Sequence, residues 1–240
     1  MSFLKLAGPG LVVAATGIGS GDVVAATVGG ARYGVVLLWA IAVGAFFKYV
    51  LNEGFARWQL ATGKTALEGW AEYLPAWVKF YFGVYLVLWT VAVTAALTNA
   101  TGLGLANLTG GFSILICSAL TFQDPAGVVQ GTLVPTIPGG AGLYVLSIIG
   151  GIGGSITMLS YNYWMREEKI SGAEHLGYVR GDIAIAYLFT AVFGMAIMMT
   201  ANQAFYTAGV SITDAQAVSK MAEMLGTIIG IMPNMTYLAS

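Results

Sequence analysis

The sequence predicts an all-α, multi-pass membrane protein. Three observations carry this. Apolar residues make up 58% of the 240 and charged residues only 9%, against roughly 25% charged in a soluble globular chain. Mean hydropathy is +0.79. Apolar stretches recur at about the 20-residue length that a helix needs to cross a bilayer. In water such a chain would leave most of its surface apolar and uncovered, and lipid as solvent removes the contradiction. The 33 glycines fit the same reading, because glycine lets membrane helices approach closely.

Seven apolar segments follow in order. The first, over 10–31, begins at Gly8-Pro9-Gly10 and is interrupted by Thr16-Gly17-Ile18-Gly19-Ser20-Gly21-Asp22. The second, over 35–56, carries Lys48 and Glu53. The third, over 78–108, has Thr90, Thr94, Thr98, Asn99 and Thr101 but no ionisable residue in its interior. The fourth, over 112–122, is too short to cross, so it reads as re-entrant, peripheral, or the remnant of a missing helix pair. A stop signal, Pro135-Thr136-Ile137-Pro138-Gly139-Gly140, precedes the fifth. The fifth, over 142–165, is interrupted by Gly150-Gly151-Ile152-Gly153-Gly154-Ser155. The sixth covers 183–205 and the seventh 221–240. Together they form one transmembrane domain, 1–240.

Lys and Arg set the orientation. With the N-terminus cytoplasmic, Lys5, Arg57, Lys64, Lys79, Arg166, Lys169 and Arg180 fall inside, and only Arg32 and Lys220 fall outside. This split requires that the fourth segment does not cross. The net charge of −1 offers no basic patch for nucleic acid. The single cysteine, Cys117, excludes an internal disulfide and a cysteine metal cluster. His175 sits in a charged loop beside Glu174 and reads as solvated. No nucleophile–base pair or cofactor motif is present, so an enzyme is not expected.

The two glycine-interrupted segments are the candidate site. A run such as Gly19-Ser20-Gly21-Asp22 sacrifices helix propensity at successive positions. Unwinding there frees carbonyls that can bind a cation, and half-helix ends add their dipoles. The competing explanation is close helix packing through small residues. Asp22 is the only acid of the first segment, and a carboxylate at membrane depth is costly, by ~2.5 kcal/mol or more. It reads as a cation ligand or as the ion-pair partner of Lys48, and the two roles can coexist. Glu53, nearer the inner end, reads as reaching interfacial water.

Gly8-Pro9, Gly19-Ser20-Gly21-Asp22 and Gly29-Gly30-Ala31-Arg32-Tyr33-Gly34 together resemble the first helix of NRAMP-type divalent metal transporters. Leu37-Leu38-Trp39, Ala56-Arg57 and Thr62-Gly63-Lys64 resemble its second. Leu133-Val134-Pro135 before Ile148-Ile149-Gly150 resembles the approach to its sixth, and Asp182 with the segment after it resembles its seventh. The resemblance implies a LeuT-like bundle of two inverted five-helix repeats, lacking helices 4–5 and the C-terminal part. It also implies metal bound between the unwound first and sixth helices. The family's first-helix motif is Asp-Pro-Gly-Asn, so here the acid has moved from first to fourth position. Its sixth-helix Met-Pro-His aligns with Gly154-Ser155-Ile156, and the acids of its third helix align with Ala96 and Asn99. Without the soft thioether, the pattern is more similar to an NRAMP-related branch with hard oxygen ligands.

The expected function is secondary transport of a divalent cation by alternating access. The metal, magnesium or manganese, is substrate, and no cofactor is expected. Asp22, Gly19 and Gly154 are the candidate metal ligands. Gly19, Ser20, Gly21, Gly151, Gly153 and Ser155 are the wider substrate-binding set, and Lys48 is the candidate charge partner. The partners are the lipid bilayer and the cation, in a bacterial cytoplasmic membrane. A sodium-coupled amino-acid transporter of the same fold, and a non-transporting membrane fragment, are the alternatives.

Overall fold

The structure is a computed structural model that describes residues 9–17, 19–105, 124–153, 157–213 and 220. The apolar segments over 112–122 and 221–240 lie outside these residues, as do Gly154, Ser155 and Cys117. The described chain is helical, with no strand among the described residues. In order the helices are α1 (Pro9–Gly17), α2 (Ser20–Tyr33), a 3-10 turn (Gly34–Leu37), α3 (Leu38–Thr62), α4 (Ala66–Tyr73) and α5 (Ala76–Leu105). They continue with α6 (Pro125–Leu133), α7 (Gly142–Gly151), α8 (Thr157–Glu167), α9 (Leu176–Ala201) and a π turn (Asn202–Tyr206).

Two of these stretches, Gly21–Thr62 and Ala173–Tyr206, are long and apolar enough to cross a membrane. The side-chain distribution on α3 says what solvent it is built for. One face buries Lys48, Asn52 and Gln59, while the opposite face exposes Phe46, Phe47, Val50 and Leu51. A helix in water shows the reverse. Polar groups turned inward and apolar groups turned outward are what hydrocarbon surroundings require. On α5, Trp77, Phe80, Tyr81, Val87 and Leu88 are all exposed, so this helix too offers lipid an apolar surface.

Contacts divide the chain into two compact units. The first comprises Met1–Gly19, Val43–Asn99 and Gly150–Ala191. Here α1 packs on α8, with Val13 and Ala14 buried on one side and Met158, Leu159 and Met165 on the other. Pro9 opens α1, where its missing N–H costs nothing. The next N–H, that of Gly10, donates to Asp182 Oδ2 at 2.7 Å. Tyr161 Oη donates to the same oxygen at 2.9 Å. Asp182 is 3% exposed, so a buried carboxylate from α9 caps the positive end of α1. Asn162 ties three elements together. Its Nδ2 donates to the Phe55 carbonyl at 3.3 Å, its Oδ1 accepts from Ala66 N at 3.3 Å, and its own carbonyl accepts from Gln59 Nε2 at 2.8 Å.

The second unit comprises Ser20–Ala42, Ala100–Ile149 and Val192–Ser240. In it α2 lies on α7. A Cβ on Gly29 would sit 3.2 Å from Ile148 Cδ1, and the Tyr33 and Tyr144 rings are 5.7 Å apart. Four residues forward on α2 correspond to four backward on α7, so the two helices are antiparallel. The Arg32 guanidinium stacks 5.2 Å above the Tyr144 ring. A Cβ on Gly30 would lie 2.9 Å from Ala201 Cβ and closer still to the Met198 carbonyl, so only glycine allows this approach. Gly34 takes a φ of 63°, the left-handed turn that stops α2. Trp39 Nε1 donates to the Thr136 carbonyl at 3.1 Å, which fastens the proline-rich stretch between α6 and α7.

Candidate functional site

The glycine runs are where two helices stop and two others start. α1 ends at Gly17 and α2 begins at Ser20, with Gly19 in neither. The last carbonyls of α1 have no partner further along the helix, and they carry the negative end of its dipole. Asp22 lies in the first turn of α2 and is 7% exposed. A carboxylate there is favoured by the positive end of α2. Gly21 leaves open space, since a Cβ built on it would meet nothing within 4 Å.

The second run behaves likewise. α7 ends at Gly151, a turn covers Ile152 and Gly153, and α8 begins at Thr157. Gly153 has a φ of 77°, and a Cβ on it would fall 2.7 Å from Tyr187 Cε1. Both the backbone conformation and the packing therefore require glycine. Gly151 is exposed and Gly153 buried. Gly19, Lys48, Gly151 and Gly153 belong to the first unit, and Ser20, Gly21 and Asp22 to the second. Lys48 is buried. Among the described residues no three His, Cys, Asp or Glu side chains gather as a metal cluster. A cation at either break would take most of its oxygens from backbone carbonyls.

Several polar residues of the first unit escaped the sequence reading. The sixth segment was expected to start at 183, but α9 starts at Leu176, so Asp182 lies well inside a helix. Arg180 and Asp182 interrupt the apolar run and hide the helix from a hydropathy window. The spacing of Val179, Asp182, Ile183, Ala186, Tyr187 and Thr190, all buried, marks a single face and was the available signal. Glu53 does not reach interfacial water. It is buried, it accepts from Arg180 Nε at 2.8 Å, and it pairs with Arg57 at 3.5 Å.

An ion-pair cluster surrounds α4. Arg166 reaches Glu68 with both guanidinium nitrogens, at 2.9 Å and 2.6 Å, a fork geometry stronger than a single contact. Glu68 also closes a capping box with Thr65. Lys64 pairs with Glu72, and Lys79 Nζ donates to the Ala71 carbonyl at 2.8 Å. The Arg166 hydrogen bond, followed by the Thr65 backbone N–H, lowers the Glu68 carboxyl from 4.5 to about 2. With its folded value depressed, the pairing stabilises fully above about pH 4.5 and is lost as pH falls through about 2. Infrared spectra of the wild type minus Glu68→Gln should keep the carboxylate band below pH 4.5 and lose it near pH 2. A band titrating at the ordinary value would contradict the pairing.

The sequence matches the family described as "Natural resistance-associated macrophage protein-like" (Nramp) over residues 10–124 and 118–239. The two stretches meet within the region of the short fourth segment. A "Divalent metal cation transporter MntH" of Klebsiella pneumoniae is 23% identical over 250 positions, covering 86% of this chain and 60% of the relative. One of the same name from Staphylococcus aureus is 27% identical over 122 positions, covering 51% of this chain and 27% of the relative. The chain thus spans about 60% of the length of the Klebsiella relative. No solved structure matches it.

Proposed function

This chain belongs to the Nramp family, and from that premise we propose that it moves a divalent metal cation across a membrane by alternating access. The observation that carries this is Asp22, a buried carboxylate one turn past a helix interruption. Membrane helices keep charged side chains at depth where a substrate or ion passes. In this reading Asp22 supplies the charge. Carbonyls at Gly19, Gly151, Gly153 and Gly154 supply oxygens, and the Ser20 and Ser155 hydroxyls complete a hard set suited to magnesium or manganese. The helical ends support it. α1 and α7 both end at their interruptions, so their last carbonyls lack a partner further along their own helix, as in half-helices that coordinate cations. The α1–α8 pairing and the antiparallel α2–α7 pairing are what a LeuT-like bundle would require of its two interrupted segments.

Lys48 is the charge partner, a tethered cation that can stand in for a coupling ion when the site is empty. Arg57, Lys64, Lys79, Arg166 and Arg180 all lie in the unit that contains α4. If that end is cytoplasmic, they give the cationic bias expected of the inner side.

The test is uptake into proteoliposomes holding the chain. Saturable uptake of Mn²⁺ or Mg²⁺, with no sodium-driven amino-acid uptake, is expected. Amino-acid uptake that depends on sodium would overturn the cargo assignment. Neither uptake, from protein shown to be inserted and helical, would identify a fragment that does not transport.

A further inference from the structure

Within the first unit, α4 and α5 leave between them a groove of about 520 Å³, inside the size range of small-molecule sites. α4 supplies Leu67 and Trp70, and α5 supplies Val78, Phe82 and Gly83. The Trp70 and Phe82 rings meet edge to face at 5.1 Å, which joins the two helices beside the groove. Gly83 keeps it open. It lies inside a helix, where glycine sacrifices stability, and a Cβ built on it meets nothing within 4 Å. Gly30 is glycine because Met198 and Ala201 press on it. No described neighbour presses on Gly83.

The apolar groove also contains a cation. Lys79 is the one charged residue among the described residues that line it. Its ammonium has three donors, and one goes to the Ala71 carbonyl. Among the described residues no carboxylate pairs with Lys79, whereas Glu72 takes Lys64 and Glu68 takes Arg166. Lys79 is the fourth residue of α5, whose first turn holds no acid. The positive end of the helix dipole therefore adds to the ammonium charge, and both favour an anion. Tyr73 at the end of α4, and Trp77 and Tyr81 beside Lys79 in sequence, are exposed. Amphipathic aromatic rings of this kind sit at headgroup level.

We propose that this groove binds one anionic phospholipid, with an acyl chain between α4 and α5 and the phosphate on the Lys79 ammonium at the start of α5. The match is chemical at both ends. Hydrocarbon covers the apolar lining, and phosphate neutralises the cation. A free phosphate would leave the apolar lining bare. A second copy of the chain would have to bring a carboxylate to Lys79. The neighbouring groove between α3 and α4, about 420 Å³ and lined by Gly54, Phe55 and Trp58, has no charged residue in its described lining. It offers a lipid tail no anchor for its head. With Lys64 and Lys79 on the inner side, the lipid belongs to the cytoplasmic leaflet, the one that carries negative surface charge.

The experiment is native mass spectrometry of the full chain, stripped of lipid and titrated with phosphatidylglycerol or with zwitterionic phosphatidylethanolamine. One phosphatidylglycerol should be retained ~5-fold more tightly than phosphatidylethanolamine, the contribution of one lysine near an anionic surface. Lys79→Gln should erase that preference. Gly83→Leu should fill the groove and lower retention of both lipids. Because leucine is the better helix former, this variant should melt no lower than wild type. Gly54→Leu, in the uncharged groove, should leave phosphatidylglycerol binding unchanged. Equal retention of the two lipids by wild type, or a preference that survives Lys79→Gln, overturns the proposal. So does phosphatidylglycerol displaced by inorganic phosphate, which would show that the apolar groove plays no part. A dimer that Gly83→Leu dissolves would assign the groove to a second copy instead and overturn it too.

Discussion

Replacing Asp22 by alanine should weaken divalent cation binding by ~10²-fold or more, above the loss that accompanies removal of a mere outer-shell partner. The size follows from the donor set. Among the candidate ligands Asp22 is the only one with a formal charge, and the others are carbonyls and hydroxyls. A cation leaving water for a low-dielectric interior needs that charge. The loss should be separable from unfolding. An acid in the first turn of a helix stabilises it by only ~0.3–1 kcal/mol, and Gly21 beside it packs on nothing. Asp22→Asn keeps the shape, so it should melt near the wild-type temperature and still fail to bind. Isothermal titration of Mn²⁺ measures this. Unchanged affinity in either variant would remove Asp22 from the site.

Asp182→Leu should destabilise the first unit by ~3 kcal/mol or more. The substitution leaves the Gly10 N–H and the Tyr161 hydroxyl unsatisfied, and each unsatisfied buried group costs ~1–3 kcal/mol. Hydrogen bonds to a charged acceptor are the stronger kind. Tyr161→Phe removes one of the two and should cost about half as much. Because Asp182 caps α1, the effect should be local as well as global. Amide exchange at Gly10 should accelerate in Asp182→Leu more than exchange within α9. A melting temperature within a degree or two of wild type would show that the carboxylate does not hold α1.

The helical, membrane-embedded character was legible in composition and segment length, because hydropathy integrates over many residues and survives local exceptions. The interruptions at Gly19 and at Gly151–Gly153 were legible for a related reason. Several closely spaced glycines outweigh an apolar context, and the structure ends helices at both. The polar interior was not legible. Gln59, Tyr161, Asn162 and Asp182 take their roles from tertiary hydrogen bonds to groups more than 20 residues away. Glu53 was misread because a lone acid near a helix end normally finds water. Here Arg180, 127 positions away, supplies a partner that no local pattern reveals. The extent of α9 was missed for the same reason, since the charges that disguise its first turns are matched by partners on α1, α3 and α8.

The most direct measurement is anomalous scattering from crystals soaked in Mn²⁺. A single strong peak is expected within ~2.0–2.6 Å of the Asp22 carboxylate and of backbone oxygens at both Gly19 and the turn after Gly151. A peak bound only by surface carboxylates, or uninterrupted helix through both glycine runs, would contradict cation binding at the breaks.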